Sequence, residues 1–126
     1  MHRKHAVFVY GTLKRGLSNH FFLREARFLG QAQTVERYAL YEDEIPLVTR
    51  SQAVSPIQGE VYEVSEKILH HLDVLEQHPE FYRRELVQVQ LEDGSRREAW
   101  LYFSPEPKGA LLPEGVWPRP SQAGEA

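Results

Sequence analysis

The run Ala6-Val7-Phe8-Val9-Tyr10 is apolar at every position. A strand with one wet face alternates polar and apolar residues, so an unbroken β-rich run predicts a buried central strand. It ends at Gly11, and a loop holding Lys14, Arg15 and Gly16 follows. Ser18 or Asn19 then suits the N-cap of a short helix reaching about Glu25, with Phe21 and Phe22 toward the core. Strands are predicted over Arg27–Gln33 and Thr34–Tyr41, and again over Ile45–Thr49 beyond the acidic loop Glu42-Asp43-Glu44.

The second half is more regular. Gln58–Val64 enters at Gly59 and places Val61 and Tyr62 between Glu60 and Glu63. Ser65 suits the N-cap of a helix from Glu66 to about Gln77, which Pro79 terminates. Arg84–Leu91 sets Val87, Val89 and Leu91 on one strand face, and Asp93-Gly94 is a strong hairpin turn signal. The return strand, Arg97–Phe103, puts Trp100 and Tyr102 on one face. Beyond Ser104, Pro105, Pro107, Pro113, Pro118 and Pro120 predict an extended or irregular segment that Leu111, Leu112, Val116 and Trp117 can dock on the body. One α+β domain is expected over residues 1–120, with a disordered tail at 121–126 and no second domain.

Composition narrows the function classes. The chain has 126 residues, of which 41% are hydrophobic and 26% charged, enough for one core without metal or disulfide staples. It has no cysteine, which excludes disulfides, thiolate nucleophiles and cysteine-based metal sites and suits a reducing compartment. A net charge of −3 with only short basic runs argues against nucleic acid as a partner. No segment approaches the ~20 apolar residues that span a bilayer, and no apolar signal core follows the first residues. The expectation is a cytoplasmic enzyme or binding domain without a membrane partner. None of the histidines pairs at i, i+4 with a credible carboxylate ligand, so no metal site is expected. No Gly-x-Ser-x-Gly elbow occurs.

Two features stand out as candidate chemistry. At ~100° per residue, Ile68, Leu69, Leu72 and Leu75 form an apolar arc on the 66–77 helix, and Glu76 falls inside it. A carboxylate there is costly unless it is paired, solvated in a pocket or protonated. From spacing alone, the stronger reading is a last-turn side chain that reaches solvent or pairs with a nearby arginine. Asp73, at the edge of the arc, reads as a surface or capping residue that can also orient a neighbour. The second feature is the junction Val9-Tyr10-Gly11-Thr12-Leu13, where a glycine after a buried strand lets the backbone turn sharply and expose successive N–H groups.

Together these features resemble a known family. Val7-Phe8-Val9-Tyr10-Gly11-Thr12-Leu13-Lys14-Arg15-Gly16 resembles the opening signature of the γ-glutamylcyclotransferase-like superfamily. Gly59-Glu60-Val61-Tyr62 is similar to its strand before the catalytic helix. Leu72-Asp73-x-x-Glu76-x-x-Pro79-x-x-Tyr82-x-Arg84 resembles the segment carrying its active-site glutamate. Trp100-Leu101-Tyr102 and Gly115-Val116-Trp117 are compatible with later positions, in the same order, so the resemblance runs from about residue 6 to residue 117.

The resemblance implies a compact α+β fold with a mixed, barrel-like sheet, a few short helices and a cavity. It implies Glu76 as general acid/base, Tyr10, Gly11, Thr12 and Leu13 as the substrate-binding loop, and Tyr82 and Tyr102 in the pocket. Arg84 is expected to form a structural ion pair. The implied reaction is cyclisation of a γ-glutamyl amine or amino acid to 5-oxoproline with release of the amine, without cofactor or metal. The pattern around Glu76 is closest to the γ-glutamylamine branch. A non-catalytic small-molecule-binding domain of the same fold, or a protein-interaction domain using Phe21, Phe22 and Trp117, remains an alternative.

Overall fold

The computed structural model describes residues 4–118; the domain end at 120 and the expected tail at 121–126 lie outside the described residues. Strand β1 (Lys4–Val9) leads through a loop and a 3₁₀ turn (His20–Leu23) into β2 (Arg27–Thr34), β3 (Ala39–Asp43), β4 (Ile45–Thr49) and β5 (Gln58–Ser65). Helix α1 (Glu66–Glu76), β6 (Arg83–Leu91), β7 (Arg96–Phe103) and the short β8 (Ala110–Leu111) complete the order. Five strands close a barrel in the order β1-β5-β2-β6-β7, and β4-β3-β8 form a separate three-stranded sheet. The barrel closes where β1 runs parallel to β7, with Val7 opposite Trp100. The pairs β1–β5, β2–β5, β2–β6 and β6–β7 are antiparallel.

The unbroken apolar run of β1 now has its reason. Ala6 and Phe8 point into the barrel with Val61, Val89 and Leu101, while Val7 and Val9 point outward beneath α1 with Tyr62, Val64, Leu69 and Leu72. Both faces of the strand are therefore dry. The barrel interior and the layer between barrel and helix are separate hydrophobic cores that share this wall. On β6 and β7 the same alternation sends Val87, Val89, Ala99, Leu101 and Phe103 inward, and Trp100 and Tyr102 to the helix side.

Several sequence expectations are corrected. Thr34–Tyr41 is not one strand. Thr34 Oγ1 accepts from the Ile57 N–H (2.8 Å) and donates to the Glu36 carbonyl (2.7 Å), which turns the chain out before β3 begins at Ala39. The predicted helix through Glu25 is only the 3₁₀ turn, and Asn19 does not cap it; its amide donates instead to Thr12 Oγ1 at 2.9 Å. With about three residues per turn, Leu23 takes the inward position and Phe21 is left 59% exposed, stacked on Phe22. The segment after Ser104 contains a strand as well, β8, paired to β3 through Tyr41 and Glu42.

Gly59 fixes how closely β5 meets β1. A Cβ there would lie 2.3 Å from the Val9 carbonyl oxygen and 2.7 Å from the Phe8 ring, and neither a backbone oxygen nor a buried ring can yield cheaply. Gly59→Ala is expected to destabilise the protein by about 1–3 kcal/mol, the usual cost of overpacking. Thermal denaturation followed by circular dichroism should show this as a fall of about 4 °C per kcal/mol, and an unchanged midpoint would refute it.

Candidate active site

Helix α1 is built to present its last turn to a cavity. Ser65 Oγ accepts from the Ile68 N–H at 3.2 Å and fixes the first turn. Leu69 and Leu72 are buried against the barrel, so the arc containing Glu76 is held inward. The helix ends at Glu76 because Gln77 takes a left-handed conformation (φ 56°), its N–H returning to the Asp73 and Val74 carbonyls. The chain then folds back, with the Phe81 N–H donating to the Gln77 carbonyl (2.8 Å) and the Tyr82 N–H to the Glu76 carbonyl (3.3 Å). That return brings Tyr82 beside Glu76.

Glu76 and Tyr82 line a cavity of about 140 Å³ together with Tyr10, Gly11, Thr12, Leu13 and Tyr102. Phe8, Val9, Asn19, Ile45, Pro46 and Leu75 supply the rest of its wall. All of the residues singled out by sequence for this site are thus brought together. Arg84 is not among the lining residues: its Nε and one terminal nitrogen bind Asp73 at 2.8 and 3.1 Å, and its guanidinium lies 4.2 Å over the Trp100 ring. Asp73 is partly buried, not a surface or capping residue, and also accepts from the Tyr102 hydroxyl at 2.6 Å.

The loop after β1 is a tight turn with a pinned back. The Lys14 N–H closes on the Gly11 carbonyl at 3.0 Å, so Thr12 and Leu13 occupy the turn's centre. Among the described residues, none accepts from the Thr12 or Leu13 N–H, and both residues line the cavity. Gly11 is required for closeness more than for unusual torsion: its φ is not positive, but a Cβ would lie 2.6 Å from Pro46 Cγ. Behind the turn, the Asn19 N–H donates to the Thr12 carbonyl at 2.9 Å. Glu60, only 7% exposed, accepts from the Arg15 N–H (2.9 Å), the Tyr62 hydroxyl (3.1 Å) and the Gln31 amide (3.3 Å).

Glu60 and Asn19 are the contributors that sequence reading missed. A signal for Glu60 existed. It sits two residues before Tyr62 and so shares its strand face, and a carboxylate on a buried tyrosine's face needs donors. Lys14 adds a further tie through its ammonium, which donates to the Trp117 carbonyl, while Trp117 Nε1 donates to Glu42 at 2.9 Å. Burial holds the Lys14 pKa below its ordinary value, against the opposing pull of Glu60.

The electrostatics separate the ionisable groups. Burial lifts the Glu76 carboxyl from 4.5 to about 7. Burial, then the Glu76 charge, pushes Tyr82 up to about 12 and raises Tyr10 well above its usual value. Tyr102 is also raised, by burial and then by Asp73. Burial pulls Asp73 upward, but hydrogen bonds from Arg84 and Tyr102 outweigh it and leave that carboxyl below the ordinary range. At neutral pH the cavity therefore holds protonated phenols and one carboxyl poised between its two states.

The raised Glu76 pKa has a measurable cost. Between the unfolded value of 4.5 and about 7, the folded protein binds the extra proton, so stability falls as pH rises through that window. The penalty is complete above pH 7 and is on the order of 3 kcal/mol. Glu76→Gln, which cannot ionise, should therefore be more stable than the wild type at pH 8, with the gain shrinking toward pH 4.5. Urea denaturation at both pH values checks this; a pH-independent difference would show that the group is not desolvated.

Known proteins resemble this chain along most of its length. Residues 7–119 match the family model for gamma-glutamyl cyclotransferase, AIG2-like. A Methanocaldococcus jannaschii protein named "Putative gamma-glutamylcyclotransferase" is 48% identical over 110 residues, covering 86% of this chain and 92% of that one. The human gamma-glutamylaminecyclotransferase is 43% identical over 94 residues, 68% of this chain and 61% of its own length. The crystal structure of a mouse AIG2-like protein superposes with a TM-score of 0.83 at 32% identity, covering 98% of this chain and 94% of that chain. With a matching family model over nearly all described residues and a barrel shared with solved relatives, the chain belongs to the gamma-glutamyl cyclotransferase, AIG2-like family.

Proposed function

We propose that the protein cyclises γ-glutamyl amines or γ-glutamyl amino acids to 5-oxoproline, releasing the amine, with Glu76 as the single acid/base group. The observation that carries this reading is the placement of Glu76. It is a carboxyl raised to about 7 by burial, lining the same small cavity as the turn residues Thr12 and Leu13, whose N–H groups have no acceptor among the described residues.

In this reading the substrate's α-ammonium gives a proton to the Glu76 carboxylate. The freed amine attacks its own γ-carbonyl carbon, and the new C–N bond closes the five-membered ring. As the tetrahedral centre collapses, the bond to the departing nitrogen breaks and Glu76 returns the proton to that nitrogen. The ring nitrogen still holds one proton too many, and the regenerated carboxylate passes it on to the departing amine. The products are therefore 5-oxoproline and the amine as its ammonium, with the carboxylate restored. A pKa near the working pH suits a group that must act in both directions. Both reacting atoms belong to one molecule, so a tight cavity that folds it supplies the proximity.

The Thr12 and Leu13 N–H groups are assigned to the substrate carboxylate or to the developing oxyanion. Tyr10 and Gly11 shape that loop, and Tyr82 and Tyr102 contact the γ-glutamyl head. The human relative's name, gamma-glutamylaminecyclotransferase, supports an amine as leaving group.

The test is a screen of γ-glutamyl amines and γ-glutamyl amino acids for release of 5-oxoproline. Glu76→Gln should lower kcat/KM by roughly 10²–10⁴-fold, the usual range for acid–base catalysis. For the wild type, kcat/KM should fall as pH drops below about 7, where Glu76 becomes protonated and can no longer act as base. Equal turnover by the variant would sink the mechanism, and ligand binding without turnover would favour a binding domain.

A further inference from the structure

The three phenols lining the cavity differ in where their protons go. Tyr102 donates its hydroxyl proton to Asp73 at 2.6 Å. Asp73 cannot return the favour, because Arg84 holds it as a carboxylate through two N–H donors at 2.8 and 3.1 Å. An ionised carboxylate only accepts. The proton between Tyr102 and Asp73 therefore belongs to the tyrosine and points away from the cavity. What Tyr102 can offer a ligand is a lone pair. Tyr10 is similarly committed, its hydroxyl donating to the Tyr102 carbonyl at 3.0 Å. Tyr82 alone has a hydroxyl with no partner among the described residues and not sealed from solvent, so it can still donate.

The groups lining the cavity thus divide by hydrogen-bonding role. Acceptors lie at Tyr102 and Glu76, and donors lie at the Thr12 and Leu13 N–H groups and at Tyr82. A γ-glutamyl head has the same split, since its α-ammonium only donates and its α-carboxylate only accepts. Arg84, the cation nearest this network, is tied to Asp73 and stacked on Trp100 and is not among the residues lining the cavity.

Building on the cyclotransferase reading above, we infer that Tyr102 receives the substrate's α-ammonium as a hydrogen-bond acceptor, and that Asp73, fixed by Arg84, is the positioning residue that gives Tyr102 this polarity. The ammonium is then held between Tyr102 and the carboxylate that removes its proton. Discrimination for a free α-amine follows from the acceptor groups, independently of the leaving group.

The experiment compares two ligands that differ only at the α-amine: γ-glutamylpropylamide and its des-amino analogue, N-propylglutaramic acid. The first is measured by its KM, or by Kd from calorimetry if there is no turnover; the second, which lacks the nucleophile, by its inhibition constant or Kd. Tyr102→Phe keeps the ring and removes the acceptor. It should weaken the amine-bearing ligand by about 10-fold, as expected for a hydrogen bond to a charged group, and change the des-amino ligand by less than about 2-fold. Asp73→Asn, which frees the tyrosine proton to turn inward, should shift the ratio of the two affinities in the same direction.

A purely structural role would weaken both ligands together, and that result for Tyr102→Phe would overturn the inference. So would an unchanged ratio. Should Asp73→Asn not fold, Tyr102→Phe decides alone. Binding of both ligands by a wild type that releases no 5-oxoproline would count against the catalytic reading only. A wild type that binds neither ligand would overturn both.

Discussion

Strand β1 has no wet face, and the rest of the molecule is arranged around that constraint. Its inward side chains fill the barrel and its outward ones fill the layer under α1. A strand so placed must be flanked on both edges, as β5 and β7 flank it, and must be covered by something apolar on the outside. The helix supplies that cover, and its register on β1 and β5 is set by Leu69 and Leu72. Because the strand's end and the helix's last turn are bound to the same layer, the loop after Val9 and the side chain of Glu76 face one cavity. The site is a by-product of how two cores share one wall.

Much of this was legible in the sequence, and the reasons are physical. The five-residue apolar run of β1 can satisfy only a doubly buried strand, and the β6–β7 hairpin declares itself through alternation and Asp93-Gly94. Glu76 was visible as an anomaly because a helix's period is rigid enough to expose one polar residue in an apolar arc. What failed were features decided by single long-range bonds. Thr34 ends a strand by bonding Ile57, 23 residues away, and no local pattern carries that information. Asp73 looked like a surface residue because its partners, Arg84 and Tyr102, arrive from strands β6 and β7. Gly11 was noticed for the turn that follows it, and the turn is there; what the local sequence does not carry is the packing of Pro46, which leaves no room for a Cβ.

The turn at Gly11–Lys14 shows how a backbone site can be kept rigid without a helix or a strand of its own. Backbone N–H groups left free for a ligand are held only by what lies behind them. Here that support is a buried carboxylate, Glu60, reaching the Arg15 N–H, together with Asn19 returning to Thr12. Placing Glu60 opposite Val9, the last residue of β1, brings its acceptors within reach of the loop. A cation at that position would not serve, because the groups to be held are donors.

The two carboxylates of α1 are the sharpest case of environment dividing identical chemistry. Asp73 and Glu76 lie one turn apart on the same helix, yet one is held below its ordinary pKa and the other is raised to about 7. The difference is the position of Arg84. By chelating Asp73 and lying flat on Trp100, the guanidinium neutralises the carboxylate outside the cavity and leaves the one inside it alone. Had Arg84 reached Glu76 instead, the pair would have been a stable ion pair with a carboxyl too acidic to exchange a proton near neutrality. In the proposed mechanism the burial cost at Glu76 is retained because relieving it would remove the group's ability to exchange a proton, and pairs of carboxyls pushed apart in this way are where acid and base roles are sought. The structural ion pair expected of Arg84 and the poised state of Glu76 are consequently one arrangement, set by which of two neighbouring acids the arginine meets.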